Sequence, residues 1–140
     1  SVYGDGKQIR DWLYVEDHCR AIKTILDNGD IGEVYNVGGN NEMQNIQVIE
    51  IICDLLEVYS PRKSGKEYKD LIKFVKDRPG HDTRYAINNN KIKEKLSWIP
   101  NESFESGIQK TLQWYLTNKE WVDDARDSKH QAWINEQYTN

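Results

Sequence analysis

The residues best suited to chemistry in this chain sit in "KFVKDRPGHDTRYAI", residues 73–87, where two arginines, a histidine and two aspartates share one turn. Arg78 and His81 lie on either side of Pro79-Gly80, a rigid turn pair that can point both side chains the same way. An arginine fork offers phosphate oxygens two parallel charge-assisted hydrogen bonds, so this turn suits an anionic ligand. The same residues also read as a solvated loop with internal pairs to Asp77 and Asp82.

Two further stretches could cooperate with it. In "QIRDWLYVEDH", residues 8–18, Arg10 is a second candidate phosphate ligand. Taken singly, Arg10 and Asp11 also fit strand-edge charges, Asp17 a first-turn carboxylate favoured by the helix dipole, and His18 a helix surface residue. In "VGGNNEMQN", residues 37–45, two glycines precede an asparagine at a helix start, where free N–H groups and the dipole favour an anion. The G-x-G-x-x-G spacing of a dinucleotide loop is absent there, and a plain strand-to-helix connection with its cap is the competing reading. A diphosphate needs donors from several segments, so Arg10, Asn45, Arg78 and His81 would suffice if the fold brings them together. Well-formed charged hydrogen bonds of this kind contribute about 1.5–3 kcal/mol each.

Other reaction classes lack their residues. The chain has no G-x-S-x-G and no metal-ligand cluster. Cys19 follows His18 directly, and adjacent helical residues do not face each other, so they form no nucleophile and base pair. No catalytic, cofactor-binding or metal-ligating residue is therefore expected in this stretch.

The elements that must position these groups follow from periodicity. "DWLYV" and "EVYNVGG" suit short strands, and "LIKFV" a third. Val15, Cys19, Ile22 and Leu26 predict the apolar stripe of a helix ended by Asn28-Gly29. Asn45 is placed as the cap of a second helix with Ile46, Ile49, Ile52, Cys53 and Leu56 on its stripe, and Pro61 stops it near Tyr59. Residues 62–70 read as a polar connection, "NNNKIKEKLSW" as a short helix closed by Pro100, and 103–119 as the clearest helix. The tail, with Trp121, Trp133 and Tyr138, is expected to pack on the body. Both cysteines fall on apolar stripes and are expected as buried free thiols. The order is that of an α/β or α+β protein.

Composition sets the outer limits. The 140 residues, 37% of them hydrophobic, fit one core that buries roughly two-thirds of the unfolded surface. A net charge of −4 with scattered basic residues shows no nucleic-acid footprint. No run of about 18 apolar residues marks a membrane span, and the start carries no signal-peptide pattern, so a soluble, cytoplasmic protein is expected. The opening "SVYGDGKQIRD" starts inside a turn-rich segment, which raises the expectation of a piece of a longer protein.

"VYGDGKQIRDWLYVEDH", "GEVYNVGGNNEMQN", "DRPGHDTRYAI" and "SFESGIQKTLQWYL" together closely resemble the C-terminal part of the dTDP-glucose 4,6-dehydratases, a family of extended short-chain dehydrogenases/reductases. The likeness covers nearly the whole chain and is weakest over residues 57–71. Sister epimerases and decarboxylases share a looser Arg-Asp and Val-x-Asp pattern but usually lack the second motif. The resemblance implies an α/β fold, the C-terminal nucleotide-sugar-binding domain over 1–140, with the NAD-binding Rossmann portion largely missing. It implies a reaction in which NAD+ takes hydride from C4 of dTDP-glucose, water leaves across C5 and C6, and the hydride returns to C6. The product is dTDP-4-keto-6-deoxyglucose. By position, Arg10 and Arg78 resemble the diphosphate clamps, and Asn45 and His81 further diphosphate contacts. Tyr3 resembles a neighbour of the thymine and ribose, and Tyr138 a late tyrosine that reaches the substrate. The family's glycine-rich NAD loop, catalytic Tyr and Lys and dehydrating carboxylates have no counterpart here, so the 140 residues alone are expected to be inactive and to bind NAD poorly. Family members are commonly homodimers.

Two other readings stay open. One keeps the class but takes a UDP- or GDP-linked sugar, as a dehydratase or epimerase. The other is a non-catalytic module that binds nucleotide sugars or a protein partner. The face that would meet a Rossmann portion, around helix 15–28 and "VYNV", is expected to expose apolar surface.

Overall fold

The computed structural model describes residues 1–125, and these fall into two compact units, Ser1–Ile108 and the segment from Gln109 onward. Tyr138 and Trp133, and with them the expected packing of the tail, lie outside the described residues.

In the first unit the chain runs β1 (Val2–Tyr3), β2 (Ile9–Asp11), α1 (Val15–Asn28), β3 (Glu42–Gln44) and α2 (Asn45–Tyr59). A 3₁₀ turn at Tyr68–Leu71, β4 (Phe74–Val75), α3 (Asn90–Leu96) and the start of α4 (Phe104–Thr117) follow. The class is α/β. β1 pairs in parallel with β4, Val2 opposite Phe74, and β2 pairs antiparallel with β3, Arg10 opposite Met43. Residues 83–85 then join the free side of β2. Ile9 N–H donates to the Thr83 carbonyl at 2.8 Å, and Tyr85 N–H donates to the Ile9 carbonyl at 2.9 Å. The charged turn 77–82 is thus clamped at both ends, by β4 before it and by this pairing after it.

The core is small. Ala21, Ile92 and Trp98 are fully buried, with Leu13, Ile25, Tyr35, Val37 and Leu96 packed around them. Helix α1 sits against it by the face of Asp17, Ala21 and Ile25. The stripe expected to be buried lies two residues off that face, about 200° around a helix. Val15, Ile22 and Leu26 are accordingly exposed, Leu26 by 80%, and Cys19 is exposed as well, whereas Cys53 is buried as expected.

The apolar face expected around "VYNV" is present, with Ile31 and Val34 also open. The strand expected there is not: residues 33–39 form no ladder. A strand needs a neighbour for its backbone N–H and C=O groups, and side chains supply some of that role here. Lys91 Nζ donates to the Val34 carbonyl at 2.8 Å, and Asn89 Nδ2 donates to the Gly38 carbonyl at 3.1 Å. Smaller corrections concern boundaries. The strand expected at 11–15 is β2, Ile9–Asp11, and the one expected at "LIKFV" shrinks to β4, Phe74–Val75. Helix α3 ends at Ser97 in the left-handed region (φ 53°), ahead of Pro100.

Asp17 ties α1 to the approach of α4. It is 3% exposed and accepts from Arg20 Nη2 at 2.8 Å and from the N–H groups of Asn101 and Glu102, both at 2.9 Å. Burial works to raise its pKa, but the Asn101 N–H, Arg20 and the Glu102 N–H outweigh it and hold the carboxyl below the ordinary range. In the second unit, α4 continues to Thr117 and α5 (Lys119–Ala125) follows. Trp114, Tyr115 and Trp121 there meet edge to face, Trp114 and Trp121 at 5.1 Å between ring centres.

Candidate functional site

Five segments of the first unit meet around the charged turn, and the contacts can be followed one by one. Gln8, just before β2, is buried and donates from Nε2 to Asp77 Oδ2 at 3.0 Å. Its backbone carbonyl accepts from Asn45 N–H at 3.0 Å, which fixes the N-terminus of α2 beside β2. Ile46 N–H donates to the Gly6 carbonyl at 2.9 Å, adding the loop after β1. Arg10 on β2 reaches the turn itself, with Nη2 donating to the Asp82 carbonyl at 3.1 Å and Nη1 to the Ile9 carbonyl at 2.7 Å. His81 Nδ1 lies 2.7 Å from Asp77 Oδ1, and the Tyr3 ring stands edge-on to the imidazole at 6.4 Å.

Tyr3, Arg10, Asn45, Arg78 and His81, scattered over residues 3–81, are therefore brought to one place. Tyr138, the sixth expected member, lies outside the described residues.

The charges in this cluster leave donors to spare. Arg10 stacks over the Tyr85 ring at 5.3 Å, and its two carbonyl bonds use two of the guanidinium's five N–H groups. The Arg78 guanidinium makes no hydrogen bond or ion pair among the described residues; only its backbone N–H is engaged, by Asp77 Oδ1 at 2.9 Å. Gly80 takes φ 69°, the left-handed value that lets the chain reverse between Arg78 and His81. Asp77 is held as a carboxylate by the hydrogen bond from His81 first, against a smaller desolvation effect, with the Arg78 N–H adding to it. Arg84 lies outside this set, because Glu42 takes both sides of its fork at 2.7 Å.

Asn45 differs from the expected role. It is the first residue of α2, and the capping position belongs to Gln44, whose N–H donates to Gln47 Oε1 at 3.0 Å. The Asn45 carboxamide is left for another partner, beside the positive end of a 15-residue helix.

The second expected anion site is already filled. Asp11 Oδ2 accepts from Gly39 N–H and Oδ1 from Asn41 N–H, each at 2.8 Å, so a carboxylate of the chain sits where a phosphate would. The glycines there are demanded by close packing. A Cβ on Gly39 would lie 2.1 Å from the Trp12 carbonyl, and one on Gly38 2.5 Å from Asp11 Oδ2. The described residues hence do not fit a dinucleotide. In the paired-glycine loop the Gly39 and Asn41 N–H groups are taken by Asp11, and an added pyrophosphate would face that carboxylate.

Gln8 and Asp77 were not singled out as ligands from sequence, although Gln8 stands two residues before Arg10, the period of one strand face. Asp77 was visible only as a local pair for the turn. Among the described residues no group of three His, Cys, Asp or Glu side chains could hold a metal ion, and no helix is long and apolar enough to cross a membrane.

Comparison with known proteins adds the family. Residues 1–111 match the model of the family described as GDP-mannose 4,6 dehydratase. The chain is 53% identical, over 98% of its length, to dTDP-glucose 4,6-dehydratase 1 of Escherichia coli (strain K12), and spans 37% of that protein. A relative of the same description from Neisseria meningitidis serogroup B is 57% identical over 92% of the chain and again 37% covered. Among solved structures, a dTDP-glucose 4,6-dehydratase from Bacillus anthracis in complex with NAD superposes with a TM-score of 0.73. It is 52% identical, and the match covers 86% of this chain and 35% of that one. With the family model spanning residues 1–111 and the fold shared with these extended short-chain dehydrogenase/reductase dehydratases, the chain belongs to the GDP-mannose 4,6 dehydratase family.

Proposed function

We propose that this chain is the substrate-holding portion of a dTDP-glucose 4,6-dehydratase, which converts dTDP-glucose to dTDP-4-keto-6-deoxyglucose and water. The observation that carries the reading is the convergence of Arg10, Asn45, Arg78 and His81 at one turn, with the Arg78 guanidinium and the Asn45 carboxamide without partners among the described residues. Two arginines and a helix N-terminus match the charge of a nucleoside diphosphate. Tyr3, edge-on to His81, stands where an aromatic side chain can flank the nucleoside. The identity of the relatives' substrate, dTDP-glucose, supports the choice of base and sugar.

NAD and the residues of hydride and proton transfer belong, in this reading, to the remainder of the full-length protein, since residues 1–125 offer no dinucleotide loop. The chain's own residues hold the diphosphate and orient the sugar. The full-length protein is a cytoplasmic homodimer, and the 140 residues alone turn over no dTDP-glucose.

Competition between dTDP and UDP for the full-length protein tests the assignment. A clear preference for dTDP supports it; equal binding, or preference for UDP, moves the assignment to a sister dehydratase or epimerase. Keto-sugar production by the 140 residues alone would refute the division of labour.

A further inference from the structure

The described contacts account for His81 only through its neighbour. Asp77 is fixed from several directions: Oδ2 accepts from Gln8 Nε2 at 3.0 Å, and Oδ1 from Arg78 N–H at 2.9 Å. Gly4 packs closely against the same carboxylate, since a Cβ there would stand 2.8 Å from Oδ2. The His81 side chain is only 7% exposed and meets Asp77 Oδ1 through Nδ1 at 2.7 Å. A carboxylate can only accept, so Nδ1 must carry the proton.

We propose that Asp77, held by Gln8, is a positioning residue that commits His81 Nδ1 as a donor, so that a diphosphate oxygen at Nε2 is bound only by the doubly protonated imidazole. In the neutral ring with Nδ1–H, Nε2 is an acceptor and repels an anionic oxygen. Binding of a nucleoside diphosphate therefore takes up a proton at His81. The groups that face the ring are Tyr3 from β1 and Asp77 from its own turn, with Gln8 behind the carboxylate. This role rests on the proposed function, and it adds a dependence on pH that a purely structural Asp77 would not produce.

The experiment is calorimetric titration of the full-length protein with dTDP across about pH 5–8, the range in which histidine charge changes. It uses the wild type, Asp77→Asn, Gln8→Met and His81→Gln, the last reading the ionisation of dTDP itself. Wild-type affinity is expected to fall with rising pH more steeply than that of His81→Gln. Asp77→Asn is expected to bind about tenfold more weakly near pH 6.5. Its pH slope should match that of His81→Gln, because a carboxamide can donate to Nδ1 and leave Nε2–H on the neutral ring. Gln8→Met should change both in the same direction by a smaller factor. A wild-type slope that Asp77→Asn leaves unchanged overturns the role of Asp77 alone. Failure of the wild type to bind dTDP at any pH overturns the functional reading and this role together.

Discussion

Replacing Asp17 by alanine leaves two backbone N–H groups, of Asn101 and Glu102, without their acceptor in a site where the carboxylate is 3% exposed. Each orphaned buried donor costs about 1–3 kcal/mol. The Arg20 contribution is discounted, because its side chain is 36% exposed and keeps its bond to the Ile99 carbonyl. A loss of about 2–6 kcal/mol follows from the two donors, a large share of the roughly 5–15 kcal/mol by which a domain is stable. Urea unfolding followed by tryptophan fluorescence measures it, with Asp123→Ala on the exposed face of α5 as a control expected within about 0.5 kcal/mol. The effect also has a sign in pH. Asp17 titrates lower in the folded chain than the ordinary value of about 3.9. Its stabilisation is complete above that unfolded value and is lost as pH falls through the lower, folded one. The gap between wild type and Asp17→Ala should therefore be constant near neutrality and narrow below about pH 4. A cost under about 0.5 kcal/mol at pH 7 would refute the view that this carboxylate joins α1 to the loop before α4.

Other outcomes follow from burial. Leu26→Lys, on the exposed face of α1, should change the unfolding free energy by no more than about 0.5 kcal/mol, whereas Trp98→Ala in the core should cost about 3–5 kcal/mol. With a thiol reagent under native conditions Cys19 should react fully and Cys53 only on unfolding, since Cys53 is buried and desolvation pushes its thiol pKa up; equal rates by mass spectrometry would contradict this.

What could be read from sequence depended on whether the deciding interaction was local. The limits of α1 and α2 were readable because Gly29 and Pro61 end them by local backbone chemistry. Which face of α1 is buried was not, because the 15–19–22–26 stripe is more apolar than the 17–21–25 face that the core takes, and the latter depends on an Asp17 bridge across more than eighty residues. "EVYNV" has the composition of a strand, yet strand formation is a property of a pair, and no partner stands beside it among the described residues.

The same distinction holds at the site. The donors at the charged turn were recognisable by residue type, but the glycine loop was not separable from an anion site until Asp11 was seen to occupy it. The cluster around Asp77 joins residues 8 and 77, a long-range contact that spacing alone does not show.

Whether Arg10 and Arg78 meet a nucleoside diphosphate is decided by titrating dTDP into the full-length protein and its Arg10→Ala and Arg78→Ala variants. Each variant is expected to lose about 1–3 kcal/mol of binding, with Arg78→Ala leaving the unfolding midpoint unchanged because its guanidinium makes no hydrogen bond or ion pair among the described residues. Wild-type affinity retained by both variants would contradict such a contact.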